Sequence, residues 1–147
     1  MEIKEYHSDM LTTVSEIYLN GRISTFSWLD TNGYCLTDFV VDTEGERVLV
    51  ALVGGHVVGF ISIWESENFV HHLYVSDEHQ GKGIGICLLD KAIVLYGSLS
   101  LKCMVENEKA VGFYESYGFV RIETGVDSLG DYYLMGIGLQ TSKRPRF

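Results

Sequence analysis

A chain of 147 residues, 46% hydrophobic and 12% aromatic, suits one domain with one core, taken here as residues 1–147. Its formal net charge of −9 argues against broad nucleic-acid binding, because the phosphate backbone is repelled. No apolar run approaches the roughly 20 residues that span a bilayer, and the charged opening MEIKEYHSDM lacks a signal-peptide core; a cytoplasmic protein with no membrane partner is expected.

In chain order, the spacing of Met10, Leu11, Val14, Ile17 and Tyr18 predicts a helix over 8–20, capped by Ser8 or Asp9 and ended by Asn20-Gly21. Residues 22–42 are mixed, and ISTFSWL, with Phe26 and Trp28, reads as helix or ordered loop. The β-branched runs 46–53 and 56–64 flank Gly54-Gly55, a hairpin signal, and FVHHLYV (69–75) reads as a third strand. A helix over about 83–96 is apolar nearly all round and so packs on more than one side. Residues 98–105 read as a strand, and 107–118 as a helix closed by Gly118. Two strands, 119–126 and 131–139, complete the pattern, and the terminal KRPRF reads as a solvated tail.

The tight turn implies antiparallel pairing, while strand, buried helix and strand imply one parallel crossover. The expected class is α/β of the α+β type: a mixed, mostly antiparallel central sheet of six to seven strands flanked by about four helices. Cys35, Cys87 and Cys103 are odd in number and lack CxxC spacing. Buried small-hydrophobe roles therefore suit them better than disulfides or zinc. No His, Cys and carboxylate cluster has ligand spacing, so no metal is expected.

Gly81, Gly83 and Gly85 crowd the start of the second long helix. Lys82 is followed by glycine, which breaks the GxxxxGK[ST] phosphate loop, and Ile86 stands where a GxGxxG fingerprint needs its last glycine. A bare turn remains one reading. The favoured one is a pyrophosphate cradle, in which converging N–H groups and a helix N-terminus meet an anion, with Lys82 in reach of a phosphate oxygen.

Gln80-Gly81-Lys82-Gly83-Ile84-Gly85, after a strand ending LYV, resembles the Q/R-x-x-G-x-G/A signature of the GNAT N-acetyltransferase superfamily. NEKAVGFYESYGF (107–119) resembles that superfamily's second signature, N-x-x-A-x-x-[FL]-Y-x-x-x-G-[FY]. The match is firm over roughly 56–120 and only in outline over the amino-terminal third, where acceptor specificity is built in this family. The resemblance implies acetyl-CoA as the acetyl donor and an amine on a small molecule or peptide as the acceptor. It also implies a homodimer as a partner expectation, dimers being common in the family. By resemblance, the backbone of Leu73, Tyr74 and Val75 holds the pantetheine arm where that strand splays, and Asn107, Ala110 and Phe113 line the other side.

At the reaction centre, Tyr114 falls on the family's tyrosine that protonates the departing thiolate; Tyr117 is its off-motif neighbour. A phenol of pKa about 10 is protonated at neutral pH and suits that role. The backbone N–H of Val75 is the expected oxyanion donor. Removing a proton from an amine of pKa near 10 at pH 7 costs about 4 kcal/mol, so a base is useful. Glu65 and Glu67 at one strand end, and His71 and His72 on the next, are the candidates. Neighbouring strand residues face opposite ways, so at most one histidine should face the acceptor, and His72 is placed ahead of His71. Phe26, Trp28 and Trp64 are either pocket wall or core. The implied function is an N-acetyltransferase working by direct attack; the alternatives are a non-catalytic acyl-CoA-binding module and a small nucleotide-binding protein.

Overall fold

The computed structural model describes residues 1–138. The basic tail and the last residue of the final expected strand lie outside them. Seven strands form one sheet in the order β1-β2-β3-β4-β5-β7-β6. They are β1 (Glu2–Glu5), β2 (Arg47–Val53), β3 (His56–Trp64), β4 (Phe69–Val75), β5 (Leu99–Met104), β6 (Val120–Asp127) and β7 (Gly130–Ile137). Four helices accompany them: α1 (Leu11–Thr25), α2 (Asp38–Asp42), α3 (Ile84–Tyr96) and α4 (Glu108–Tyr117). Among the described residues no helix is long and apolar enough to cross a membrane.

Period-two alternation divides the core between the two faces of the sheet. Leu49, Ala51, Ile61 and Ile63 pack with Leu88, Leu89 and Ala92 of α3 and Val111 of α4. Val48, Val50, Leu52 and Phe60 face the other way, onto Val14, Ile17 and Tyr18 of α1 and Phe39 of α2. All pairings are antiparallel except β4 with β5, joined by the α3 crossover. That matches the expected mixed sheet.

Three local readings differ from the structure. Edge strand β1 was not anticipated: EIKE shows little alternation, and only Ile3 packs against the core while the strand pairs with β2. Ser8 and Asp9 do not cap α1; Ser8–Met10 forms a 3-10 turn leading into it, with no side-chain cap. Nor does Asn20-Gly21 end that helix, which runs four residues past Gly21 to Thr25. A Cβ at Gly21 would lie 2.4 Å from Cδ1 of Tyr74, so the glycine admits the β4 ring against the helix. Gly21→Ala should therefore lower the urea midpoint. Overpacking costs about 1–3 kcal/mol against a propensity gain of roughly 1 kcal/mol. A midpoint at or above wild type would show that the ring has room to move. Of the cysteines, only Cys103 is buried; Cys87 is half-buried and Cys35 exposed.

Candidate active site

β4 meets β5 only at Phe69↔Ser100 and Val70↔Leu101. Asn68 latches that end: its carbonyl accepts from Ser100 N at 3.1 Å and its amide donates to Ser98 Oγ at 3.3 Å. Beyond the latch the strands part, leaving the β5-facing edge of β4 unpaired over 71–75. A cleft of about 1350 Å³ fills the gap.

The ladder to β3 fixes which backbone groups face this gap. Ser76 N donates to Val58 O at 2.8 Å, and Val75 is opposite Gly59. Hydrogen-bonded and non-hydrogen-bonded pairs alternate in an antiparallel ladder, so Leu73 and Val75 turn their N–H and C=O toward the cleft. Tyr74 spends its backbone on Phe60. This divides the trio expected to hold an extended ligand: Tyr74 contributes its ring to the wall, not its main chain. Gln80 Nε2 reaches the Val75 carbonyl at 3.1 Å, tying the glycine loop to this strand.

Gly81 and Gly83 both adopt positive φ, +77° and +80°, and a Cβ at either would meet nothing within 4 Å. Their cost is conformational, and their bare faces are open. Gly85 differs: a Cβ there would lie 3.2 Å from Cζ of Phe113, so it lets α3 approach α4. Gly81, Gly83, Ile84 and Gly85 line the cleft, as do Gln80, Asn107, Ala110, Phe113 and Tyr114. Lys82 does not line it. Lys102 and Lys109 do, and Lys109 lies beside the glycine loop, 3.5 Å from Gln80 Oε1. Asn107 also has a structural task, capping α4 by accepting from Ala110 N at 3.2 Å.

Tyr114 keeps one face open to the cleft, and its ring packs edge-on against Phe113 and Phe119. Burial, then Cys103 and Tyr74, push its pKa well above the ordinary phenol value. Tyr117 is turned away and donates to Asp90 at 2.6 Å. Burial likewise pushes the Cys103 thiol, which lines the cleft, up to about 12. A thiol so protonated is a poor nucleophile.

The far lobe is walled by α1 and the loop after it. Phe26 and Trp28 line it, and Trp28 Nε1 donates to Leu129 O at 3.3 Å. Trp64 is neither core nor part of this wall; it is 44% exposed and borders a second cavity of about 430 Å³. At the floor, the buried Arg22 pairs with Asp38 at 3.0 Å and lies over the rings of Tyr18 and Tyr34. Glu65 is not brought to the cleft: it accepts from Tyr96 at 2.6 Å and pairs with Arg47 at 3.6 Å.

Both histidines line the cleft, contrary to the expectation that at most one would. The register explains this: Ser62 pairs with His72 and Ile63 with Val70, so His71 is the extra residue of a β-bulge. The rings stack at 4.0 Å. Burial, then His71 and Arg22, pull the His72 pKa down to about 3, against a raising bond to the Asp42 backbone. Glu46, 25 residues upstream of His71, joins the pair, its Oε2 lying 2.5 Å from His71 Nδ1. The expectation of no ligand cluster is thereby corrected: Glu46, His71 and His72 place their ligand atoms within 4.8 Å of one another. The spacing was invisible because it is made across strands.

Comparison with known proteins agrees with this architecture. The family model described as "Acetyltransferase (GNAT) domain" matches residues 44–121. The chain is 34% identical over 77 residues to the peptidyl-lysine N-acetyltransferase YjaB of Escherichia coli, covering 52% of this chain and 51% of that protein. It is 31% identical over 90 residues to the spermidine N(1)-acetyltransferase of Vibrio cholerae, covering 54% and 51% respectively. The matched region thus spans about half the length of these relatives. The solution structure of apo YjaB superposes with a TM-score of 0.72 at 22% identity, covering 92% of this chain and 94% of that one. Salmonella typhimurium yncA, a putative acetyltransferase solved with acetyl-CoA, gives 0.74 at 21% identity, covering 99% and 97%. With the family match extending over more than half of its length, the chain belongs to the GNAT acetyltransferase family.

Proposed function

We propose that the protein transfers the acetyl group of acetyl-CoA to a primary amine by direct attack. The observation that carries the reading is the convergence, in one cleft, of the free edge of β4, the open faces of Gly81 and Gly83, and Tyr114. The loop and the α3 N-terminus suit a pyrophosphate, aided by Lys109. Leu73 and Val75 offer backbone groups to the pantetheine amides, as an added strand would use them.

The amine nitrogen attacks the thioester carbonyl, and the tetrahedral oxyanion meets a backbone N–H, that of Val75 being the one aimed at the gap. As the C–S bond breaks, Tyr114 gives its proton to the sulfur. Its raised pKa keeps it protonated throughout the working range. The protonated Cys103 supports direct attack over an acetyl-cysteine intermediate. His72 makes a poor base: passing a proton from an ammonium of pKa near 10 to an imidazole of about 3 costs on the order of 9 kcal/mol. The half-exposed His71, held by Glu46, is the imidazole that remains for this role.

The relatives' names, a peptidyl-lysine and a spermidine acetyltransferase, both point to alkyl ammonium acceptors. The carboxylates of Asp42, Asp127 and Glu106 on the cleft wall suit such a cation. Screening thiol release from acetyl-CoA against polyamines, amino acids and lysine peptides tests the reading. Turnover with an alkyl amine is expected. Stabilisation by CoA without thiol release from any amine would favour the acyl-CoA-binding alternative, and equal stabilisation by ATP would favour a nucleotide site.

A further inference from the structure

Glu46 stands just before β2 with a side chain only 5% exposed. Oε2 meets His71, but Oε1 is buried with no hydrogen-bond partner. His72 repeats the situation. Its Nε2 is buried without a hydrogen-bond partner. In the tautomer with its proton on Nδ1, Nε2 presents an unmet lone pair. A buried acceptor without a donor is left without the hydrogen bond that water would give it, which destabilises the fold. Glu46, His71 and His72 each place a ligand atom within 4.8 Å of the others, and two unmet acceptors in such a cluster ask for a cation.

We propose that Glu46, His71 and His72 bind a late first-row divalent cation of the Zn²⁺ type on the acceptor side of the cleft. Two imidazoles and one carboxylate suit Zn²⁺ and leave a fourth position open, whereas Mg²⁺ and Ca²⁺ prefer all-oxygen sets. The second cavity opens on His71 from outside and is bordered by Asp42, Glu44, Glu46 and Glu67, which gives the ion an acidic approach. In the stacked arrangement the in-plane lone pairs of the two rings do not converge, their planes standing 30° apart. His71 makes up the difference: its side chain is 45% exposed and sits on the bulge. By turning, it exchanges its bond to Glu46 for a shared ion.

The ion occupies the end of the cleft opposite the glycine loop, so it blocks the amine and spares CoA. That inhibition rests on the acetyltransferase reading, whereas the binding does not. The test uses tag-free protein, with Zn²⁺ titrated by calorimetry and Co²⁺ by visible absorption. The expected result is one ion per chain and the intense absorption of four-coordinate Co²⁺, abolished by Zn²⁺. Glu46→Gln and His71→Ala should each weaken Zn²⁺ binding by about tenfold or more, with the CoA-induced rise in melting temperature intact. An octahedral, aqua-like Co²⁺ spectrum, or Zn²⁺ affinity unchanged in both variants, overturns the proposal. Absence of CoA stabilisation in the wild type would instead overturn the acetyl-CoA reading and leave the metal result standing.

Discussion

Replacing Tyr114 by phenylalanine is expected to lower kcat by about two to four orders of magnitude, the usual contribution of a positioned general acid, while CoA stabilises the variant as it does wild type. The ring's edge-on contacts with Phe113 and Phe119, at 5.3 and 5.4 Å, survive the change, so only the hydroxyl is lost. Without it the CoA thiolate leaves unprotonated, and the barrier rises in the chemical step alone. A drop in kcat at constant acceptor KM is therefore the signature. The pH profile sharpens the assignment. Because burial raises the phenol's pKa, its deprotonated form appears only well above the ordinary tyrosine range. An alkaline loss of rate below that range in wild type would belong to another group. Wild-type kcat in Tyr114→Phe would remove the residue from the chemistry and leave α4 a structural helix.

The same helix shows what a linear sequence can carry. The glycine loop was legible because it is a local demand written in consecutive residues, whereas Tyr114 stood out only through the resemblance of NEKAVGFYESYGF to the family signature. Gly81 and Gly83 need positive φ, Gly85 yields to Phe113, and Asn107 caps the helix that presents the tyrosine. The longer strands and helices were legible for a similar reason, since long apolar runs alternate with a period of two or repeat at helical spacing, whereas the short β1 and α2 carry no such run. Contacts made across strands left no such trace. The bulge that brings His71 beside His72 arises from the β3 register, and neither strand's sequence announces it. Glu46 reaches the pair only once β2 lies two strands from β4. Gly21 looked like a helix stop because propensity weighs the backbone alone, whereas the Tyr74 ring that needs the space comes from β4. Glu65 turns to Tyr96 and Arg47 instead of the cleft, and Lys82 is not among the residues that line it.

Gly83→Ala should separate the two reasons for a glycine at the start of α3 when compared with Gly54→Ala in the β2–β3 turn. Both positions hold positive φ, +80° and +58°, and a Cβ at either meets nothing within 4 Å. Each substitution therefore carries the left-handed penalty of about 1–2 kcal/mol and no clash, and both variants should lose melting temperature to a similar extent, by a few degrees. Only Gly83 borders the cleft. A methyl group there stands where an anion would approach the loop N–H groups. Losing one charge-assisted hydrogen bond costs about 1.5–3 kcal/mol, which corresponds to roughly ten- to hundredfold weaker CoA binding. Isothermal titration with CoA should thus show Gly54→Ala at wild-type affinity and Gly83→Ala far below it. Equal affinity in the two variants would mean that the glycines serve the turn alone, and the pyrophosphate would have to be sought elsewhere in the cleft, with Lys109 the first cation to examine.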